Sequence, residues 1–314
     1  MEHANARERF EYENDNRLTG DLKKASWLID ETAWSLCPLV PLRNTGVERL
    51  IHQAVPSMYI EKFTLEQIKN KTKEWVLKSR HNITGFTHQH GTFSSGVENF
   101  IDSTIYRCQS VASLPLTYYH VPDVAQQIGK PYHTISNAPE GATVVIELPT
   151  PQHSVDYAIS QMREAKAKGH RVVVDTTFLP ISTEVITVDL SDADEVWISA
   201  NKTWNTGDLR PAWRFSKEPI ADALTLIHKR SRFNKASLAA WCYIIDSHGY
   251  DEIVDKYQSV YDHICKVFDL EPTNNILTAR KKNIKWYPMY TDNWNYNDLI
   301  GTHNLIYTHG KHFW

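Results

Sequence analysis

The sequence predicts an α/β protein with a mostly parallel central sheet flanked by helices, followed by a small, shortened C-terminal α+β domain. Two observations carry this prediction. Short β-branched runs alternate with helical stretches over residues 46–215. Within that region, the runs ATVVIEL and HRVVVDT flank a helical pattern, as in a parallel βαβ unit. With 314 residues, of which 41% are hydrophobic, the chain is long enough to bury a large core.

The elements follow one another in a simple order. The predicted division is an N-terminal arm over residues 1–45, a large domain over residues 46–250 and a small C-terminal domain over residues 251–314. In the βαβ unit, Ser154 is the expected N-cap of the helix, and Gly169 ends that helix directly before the next strand. A long amphipathic stretch over residues 220–268 then leads into the small domain.

Composition and charge exclude several classes of protein. A net charge of -3, with both signs mixed along the chain, provides no basic face for nucleic acid. The polar N-terminus and the lack of a long apolar run predict a cytoplasmic protein that does not bind membranes. Four widely spaced cysteines argue against a disulfide framework or a zinc ribbon. His88 and His90 are spaced like metal ligands, but no spacing supplies the remaining ligands, so we expect no metal.

The segment ISANKTWNTGDLR follows a predicted strand and contains Ser199, Lys202 and Arg210. A lysine that forms a Schiff base must lie beside a phosphate site, and nearby hydroxyl and guanidinium groups can bind that phosphate. The motif is short, and the ordinary explanation of a lysine after a strand is a solvated side chain. The spacing therefore indicates a cofactor lysine only together with other elements.

Three further elements supply that context. Asp175 ends a strand one crossover earlier, where ligand groups collect in parallel sheets, and could pair with a cofactor ring nitrogen. The Ser94-Ser95-Gly96 turn opens an amphipathic helix, whose backbone N–H groups are suited to a phosphate. Tyr118 precedes another helix and could stack on a flat ring. Taken singly, these residues have ordinary explanations as a turn aspartate, a helix cap and a core tyrosine.

The four elements occur in the order found in fold-type I pyridoxal-phosphate (PLP) enzymes, and over residues 46–265 the chain resembles the class I/II aminotransferase family. The resemblance implies PLP as the cofactor, an amino acid or amine as the substrate, and a homodimer. It implies phosphate binding by Ser95, Gly96, Val97, Ser199 and Arg210, ring stacking by Tyr118, contact with the ring nitrogen by Asp175, and Schiff-base formation and proton transfer by Lys202.

Two groups near the cofactor's phenolic oxygen depart from the family pattern. The usual asparagine of an N-P-x-G-like segment is missing from IELPTPQHS. An ungapped count back from Asp175 puts Glu147 near its place, with Thr150 and Gln152 as alternatives. The tyrosine that normally follows the aspartate by three residues is replaced by Phe178, which has no hydroxyl group.

In the family, a turn that resembles Tyr307 to Phe313 precedes the strand with the arginine that grips the substrate carboxylate, so we expect no match to this arginine. Arg43 in the arm or Arg280 could replace it, and Glu147 is a further candidate for substrate contact. A substrate without an ordinary α-carboxylate is the other explanation.

These residues predict a PLP-dependent aminotransferase that uses a Lys202 Schiff base. The altered ring environment leaves open a PLP-dependent lyase, deaminase or oxidase of specialised biosynthesis. A third hypothesis is a non-catalytic scaffold with this fold. The presence of Asp175, Lys202 and Arg210 together argues against the scaffold, because a protein that binds no cofactor has no use for the lysine and both of its electrostatic supports.

Overall fold

The computed structural model describes residues 63–204, 206, 209–267, 269–281 and 299–301. The N-terminal arm, including Arg43, lies outside the described residues. The helices are α1 (Leu65–Leu77), α2 (Val97–Arg107), α3 (His120–Gln127), α4 (Val155–Ala167), α5 (Asn201–Trp204), α6 (Ala223–Lys229), α7 (Lys235–Ser247) and α8 (Glu252–Val267). Among the described helices, none is both long and apolar enough to cross a membrane.

The strands are β1 (Asn82–Thr84), β2 (His90–Ser95), β3 (Val111–Ser113), β4 (Tyr132–Thr134), β5 (Thr143–Glu147), β6 (Arg171–Asp175), β7 (Thr187–Asp189), β8 (Glu195–Ser199), β9 (Pro211–Ser216), β10 (Leu270–Pro272), β11 (Thr278–Lys281) and β12 (Leu299–Gly301). Seven of them form the main sheet, in the order β2-β9-β8-β6-β5-β3-β4. Strands β4, β3, β5, β6 and β8 pair in parallel, whereas β9 is antiparallel to both β8 and β2. The mostly parallel sheet is confirmed.

The βαβ unit of β5, α4 and β6 forms as its sequence predicts. The Ser154 side chain accepts a hydrogen bond from the backbone N–H of Tyr157 at 3.2 Å, which caps α4. Gly169 has a φ of +80°, a left-handed conformation that ends the helix before β6 begins. Both boundaries therefore depend on local backbone chemistry.

The main sheet is covered on both faces. Val144 and Ile146 of β5 belong to one hydrophobic cluster, whereas Val145 between them belongs to a second cluster. Successive side chains of a strand point to opposite faces, so a run of apolar residues buries both. This accounts for the continuous apolar character of the central strands.

The amphipathic stretch over residues 220–268 is divided into three helices, α6, α7 and α8. The side chains of Asp222 and Asn234 accept hydrogen bonds from the backbone N–H groups of Thr225 and Ser237. These two N-caps begin α6 and α7 as separate helices. Short polar side chains favour such caps over a continuing helix. The apolar periodicity alone did not reveal these breaks.

The remaining strands form smaller sheets. β1 pairs in parallel with β7, and β10, β11 and β12 form an antiparallel sheet. Ile253 and Ile264 of α8 and the nearby Leu277 are fully buried and belong to the same hydrophobic cluster as β5 and β6. The division between a large and a small domain at residue 250 stays a prediction.

Candidate active site at the carboxyl edge of the sheet

Strand register brings the ends of β2 and β8 and the start of β9 to one edge of the sheet. Ser95 lies opposite Pro211, and Ser199 lies opposite Ala212. Since β9 is antiparallel to its neighbours, its first residues lie at the carboxyl ends of the parallel strands. Arg210, which precedes Pro211, is thereby placed between the ends of β2 and β8.

Two carboxyl groups lie next to each other at the same edge. Glu147 at the end of β5 is in register with Asp175 at the end of β6, and both residues are buried. The Oδ1 atom of Asp175 accepts hydrogen bonds from the backbone N–H and the hydroxyl group of Thr177, at 2.9 and 2.6 Å. Burial raises the pKa of Asp175 to about 7, against the effect of Thr177 and with a contribution from the charge of Glu147. A cationic ring nitrogen nearby would favour its ionised form.

The turn between β2 and α2 has the features of an anion site. Gly96 is the N-cap of α2 with a φ of +118°, and no side chain of the described residues caps this helix end. A Cβ atom at Gly96 would lie 2.9 Å from Oε2 of Glu98 and 3.7 Å from Nε of Arg210. The Nε atom of Arg210 is buried without a hydrogen-bond partner in the part of the chain that the structure describes. Free helix N–H groups and this guanidinium donor can bind an anion.

The structure revises the predicted Ser94-Ser95-Gly96 turn. Ser94 and Ser95 belong to strand β2, so the turn starts only at Gly96. Val97 is buried among apolar side chains of α2 and its neighbours, so only its backbone N–H remains for an anion. The anion site, here called the anion cradle, therefore consists mainly of Gly96, the first backbone N–H groups of α2 and the side chain of Arg210.

Glu98 is a site residue that sequence analysis missed. Its carboxylate forms an ion pair with the guanidinium group of Arg210 and accepts a hydrogen bond from the Tyr118 hydroxyl at 3.2 Å. An acid in the first turn of a helix is usually explained by the helix dipole, so its sequence position did not distinguish it. Glu98 connects the anion cradle with the aromatic ring.

Lys202 lies in α5, the short helix that follows β8. Burial lowers the pKa of its amine; the nearby Glu98 carboxylate opposes this effect and Arg210 adds to it. The Ser199 hydroxyl accepts a hydrogen bond from the backbone N–H of Asn201 at 3.2 Å and thereby supports this turn. A lysine with a lowered pKa has more of its amine in the neutral, nucleophilic form.

Tyr118 lies just before α3, and its ring is half-buried. Its backbone N–H donates to Oε1 of Glu147, and its ring centroid is 4.9 Å from that of Tyr119. Burial raises the pKa of Tyr118, with the Glu98 charge adding to the effect, so its hydroxyl group stays protonated at neutral pH. The ring is thus held between two glutamates at this edge.

Comparison with known proteins identifies the architecture. No protein-family model and no curated protein matches the sequence. Among solved structures, the chain is similar to a PLP-bound C-S lyase from Staphylococcus hominis, with a TM-score of 0.53 and 14% identity over 74% of this chain and 69% of the other. The chain has the fold-type I fold of PLP-dependent aminotransferases.

Two further structures support the fold-type I assignment. The methionine aminotransferase YbdL from Escherichia coli has a TM-score of 0.57 and 13% identity, over 76% of this chain and 73% of the other. Alanine aminotransferase from Pyrococcus furiosus has a TM-score of 0.55 and 11% identity, over 77% and 73%. The predicted aminotransferase-like fold is confirmed. In open α/β sheets of this kind, ligands bind beyond the carboxyl ends of the strands, which is where the described site lies.

The other candidate residues have different surroundings. Phe178 is half-buried and packs against the main hydrophobic cluster. Arg280 donates to the backbone carbonyls of Pro151 and Gln152, at 2.9 and 3.2 Å. It therefore holds the loop after β5, which also contains Thr150. Whether Arg280 also reaches a substrate carboxylate stays a prediction, and Arg43 lies outside the described residues.

His88 and His90 do not lie at the anion site, because they precede or begin β2 whereas Gly96 follows its other end. The Nε2 atom of His88 donates to the backbone carbonyl of Ala193 at 3.0 Å, and burial lowers the pKa of this ring to about 4. His90 is exposed at the start of β2. Within the described part of the chain, no three His, Cys, Asp or Glu side chains come together as metal ligands.

Proposed function

We propose that this chain is a PLP-dependent enzyme, an aminotransferase that acts on an amino acid or a related amine. The observation that carries the proposal is the meeting of Lys202, Asp175 and the Gly96–Arg210 cradle at one edge of the sheet. The fold adds support, because PLP-bound proteins and aminotransferases share it.

The residues at this edge fit the cofactor. The buried Nε of Arg210 has no hydrogen-bond partner among the described residues, and a phosphate oxygen would satisfy it. A Cβ at Gly96 would lie 2.9 Å from Oε2 of Glu98, so a phosphate that binds beside the backbone N–H groups of α2 would take the place of the Glu98 carboxylate. In this arrangement Asp175 would face the ring nitrogen, and Tyr118 would cover a face of the ring.

Bound PLP withdraws electrons from the substrate α-carbon, so that a bond to that carbon can break. Lys202 would hold the cofactor covalently through its amine, whose lowered pKa favours the neutral nucleophile. Once substrate displaces it, the same amine would take a proton from the α-carbon and return it to a neighbouring atom. Asp175 would stabilise a positive ring nitrogen through its carboxylate.

A PLP-dependent lyase is the second candidate, and the observation that favours it is the similarity to a C-S lyase. The absence of a hydroxyl group at Phe178 agrees with a changed ring environment. Incubation with amino acids in the presence and absence of a keto acid separates the two reactions. An aminotransferase forms a new amino acid only with the keto acid, whereas a lyase releases products such as ammonia or a thiol without it.

The experiment that tests the proposal is addition of PLP to the purified protein, followed by borohydride reduction and peptide mapping. We expect a near-visible absorbance band and a reduced adduct on Lys202. The Lys202→Ala variant should lose both, while Lys73→Ala serves as the matched control, since burial lowers the pKa of Lys73 too and it lies beside His88. Absence of the band and of the adduct from the wild-type protein would favour the scaffold hypothesis instead.

We also propose that the active form is a homodimer in the cytoplasm. Tyr106 and Tyr119 are 65% and 48% exposed, and aromatic side chains of this kind are common in interfaces between subunits. Light scattering coupled to size-exclusion chromatography measures the mass of the particle directly. A mass equal to that of one chain over the working concentration range would reject the dimer.

A further inference from the structure

Glu147 ends β5 and is only 8% exposed. Its Oε1 atom accepts hydrogen bonds from the hydroxyl group of Thr117 at 2.7 Å and from the backbone N–H of Tyr118. These donors and the nearby Thr150 hydroxyl group, which also favours the ionised carboxyl, are neutral groups. Burying a carboxyl group costs free energy, and neutral donors offset only part of that cost. A buried acid at this position therefore calls for a reason beyond packing.

The segment that Glu147 contacts has an unfavourable backbone conformation. Leu116 has a φ of +58°, which is uncommon for any residue other than glycine, asparagine or aspartate. Such a conformation persists when contacts from outside the segment support it. Glu147 lies 30 and 29 residues from Thr117 and Tyr118 along the chain, so it provides a support of this kind.

The other end of Tyr118 is held as well. Its hydroxyl group donates to Glu98 at 3.2 Å, and Glu98 forms an ion pair with Arg210 of the anion cradle. The ring is therefore held through its backbone by one carboxyl group and through its hydroxyl group by another. Its orientation relative to the cradle depends on both contacts.

We propose that Glu147 is a positioning residue that holds the Tyr118 ring against the face of the cofactor. This inference rests on the proposed function. In this role Glu147 acts through Thr117 and the backbone of Tyr118, which both donate to its Oε1 atom. The role therefore differs from the substrate contact that the sequence allowed for Glu147.

The test compares Glu147→Ala with Glu147→Gln in the full-length protein. The glutamine retains a carbonyl oxygen that can accept both hydrogen bonds, whereas the alanine does not. Two quantities are measured: amide hydrogen exchange of residues 115–120 before PLP is added, and the visible circular dichroism and dissociation constant of PLP afterwards. Thr143→Val is the matched control, because Thr143 is buried at the opposite end of the same strand.

We expect Glu147→Ala to exchange faster in residues 115–120, to lose most of the visible dichroism and to bind PLP about tenfold more weakly, the effect of about one lost hydrogen bond. Glu147→Gln should stay within about twofold of the wild type, since it retains the acceptor. If Glu147→Ala does not fold, Thr117→Val removes one of the donors and should show the same changes to a smaller degree.

The results distinguish this inference from the proposed function. If the wild-type protein binds PLP and neither Glu147→Ala nor Thr117→Val changes the exchange or the dichroism, the positioning role is wrong while the proposed function stands. If the wild-type protein does not bind PLP, both are wrong. Equal losses of visible dichroism and PLP affinity in Glu147→Ala and Glu147→Gln would also overturn the positioning role. The effect would then come from the negative charge of Glu147 and not from its hydrogen bonds.

Discussion

The carboxyl group of Asp175 loses most of its contact with water when the chain folds, and this raises its pKa from 3.8 to about 7. Between these two pH values the folded protein binds more protons at Asp175 than the unfolded chain does. The contribution of Asp175 to stability is therefore greatest at low pH and is lost as the pH rises from about 4 to about 7. Asp175 is suited to bind a cofactor, and its buried charge destabilises the protein when the cofactor is absent.

We predict that Asp175→Asn stabilises the cofactor-free protein at pH 8 by a few kcal/mol and has little effect at pH 4. The amide oxygen of asparagine can still accept the hydrogen bonds of Thr177, so the main change is the loss of the buried charge. Urea unfolding at both pH values measures the difference. An equal effect at both pH values would contradict the role of ionisation.

The same substitution should weaken PLP binding at pH 8, because the ring nitrogen loses its negatively charged partner. Equilibrium dialysis of PLP with both proteins measures this effect. Greater stability with weaker binding is the expected combination for a residue of a functional site. Unchanged PLP affinity would place the ring nitrogen elsewhere.

At the scale of elements, the junction between β2 and α2 forms the anion cradle. Gly96 has a φ of +118° there, and the site for a Cβ atom lies against the Glu98 carboxylate. Gly129, which follows α3, also has a positive φ, of +68°, but a Cβ atom added there would meet no atom of the described residues within 4 Å. A comparison of the two glycines therefore separates the effect of a positive φ from the effect of a methyl group close to the Glu98 carboxylate.

We predict that Gly96→Ala and Gly129→Ala each destabilise the protein by about 1–2 kcal/mol through the left-handed backbone. Only Gly96→Ala should also weaken PLP binding, because its methyl group enters the cradle. Thermal unfolding and PLP titration of both variants provide the two measurements. If Gly96→Ala binds PLP as tightly as Gly129→Ala does, the phosphate does not bind beside Gly96.

At the scale of the whole molecule, a buried ion-pair network holds the opposite edge of the sheet together. Glu195 at the start of β8 is fully buried and contacts Arg107 at 3.1 Å and Arg171 at 2.8 Å. Arg214 of β9, which is 1% exposed, pairs with Asp222 at 2.7 Å. These charges connect α2, β6, β8 and β9, the elements that place the site at the other edge.

We predict that Glu195→Gln lowers the free energy of unfolding by about 1–3 kcal/mol, because the partly exposed Arg107 and Arg171 lose the charge of their buried partner. Lys168→Ala, which removes the exposed Glu164–Lys168 pair, should cost under about 0.5 kcal/mol. Urea denaturation of both variants checks the contrast. A small effect of Glu195→Gln would mean that water or a rearranged side chain replaces Glu195 as the hydrogen-bond partner of the arginines.

The C-terminal part of the chain also supports the loop after β5. Asn274 donates to the carbonyls of Thr150 and His153, at 2.6 and 3.0 Å, and Arg280 donates to the neighbouring carbonyls of Pro151 and Gln152. This loop lies directly after Glu147. Contacts from the C-terminal segment therefore extend to the edge that carries the site.

We predict that Arg280→Ala increases amide hydrogen exchange in residues 150–154 without unfolding the main sheet, because two carbonyl contacts are lost. Arg232→Ala, at an exposed position, is the control. Mass spectrometry of peptides from this loop measures the change. Unchanged exchange would show that Asn274 alone is sufficient to hold the loop.

Most of the fold could be predicted from the sequence, because its signals are local. The apolar strands, the Ser154 cap and the Gly169 helix end depend on residues within a few positions of one another. The order of Gly96, Tyr118, Asp175 and Lys202 indicated a single site for the same reason: each follows or precedes a recognisable element. The sequence by itself thus determined the fold class and which strand ends carry candidate residues.

Only the tertiary structure decided how those residues are connected. Glu98 and Arg210 are separated by 112 residues, and they meet because β9 runs antiparallel to β2 and β8. Glu147 meets Tyr118 because β5 ends beside the segment before α3. The physical reason is that hydrogen bonds and ion pairs require contact within a few ångströms, and sheet register, rather than sequence spacing, sets that contact.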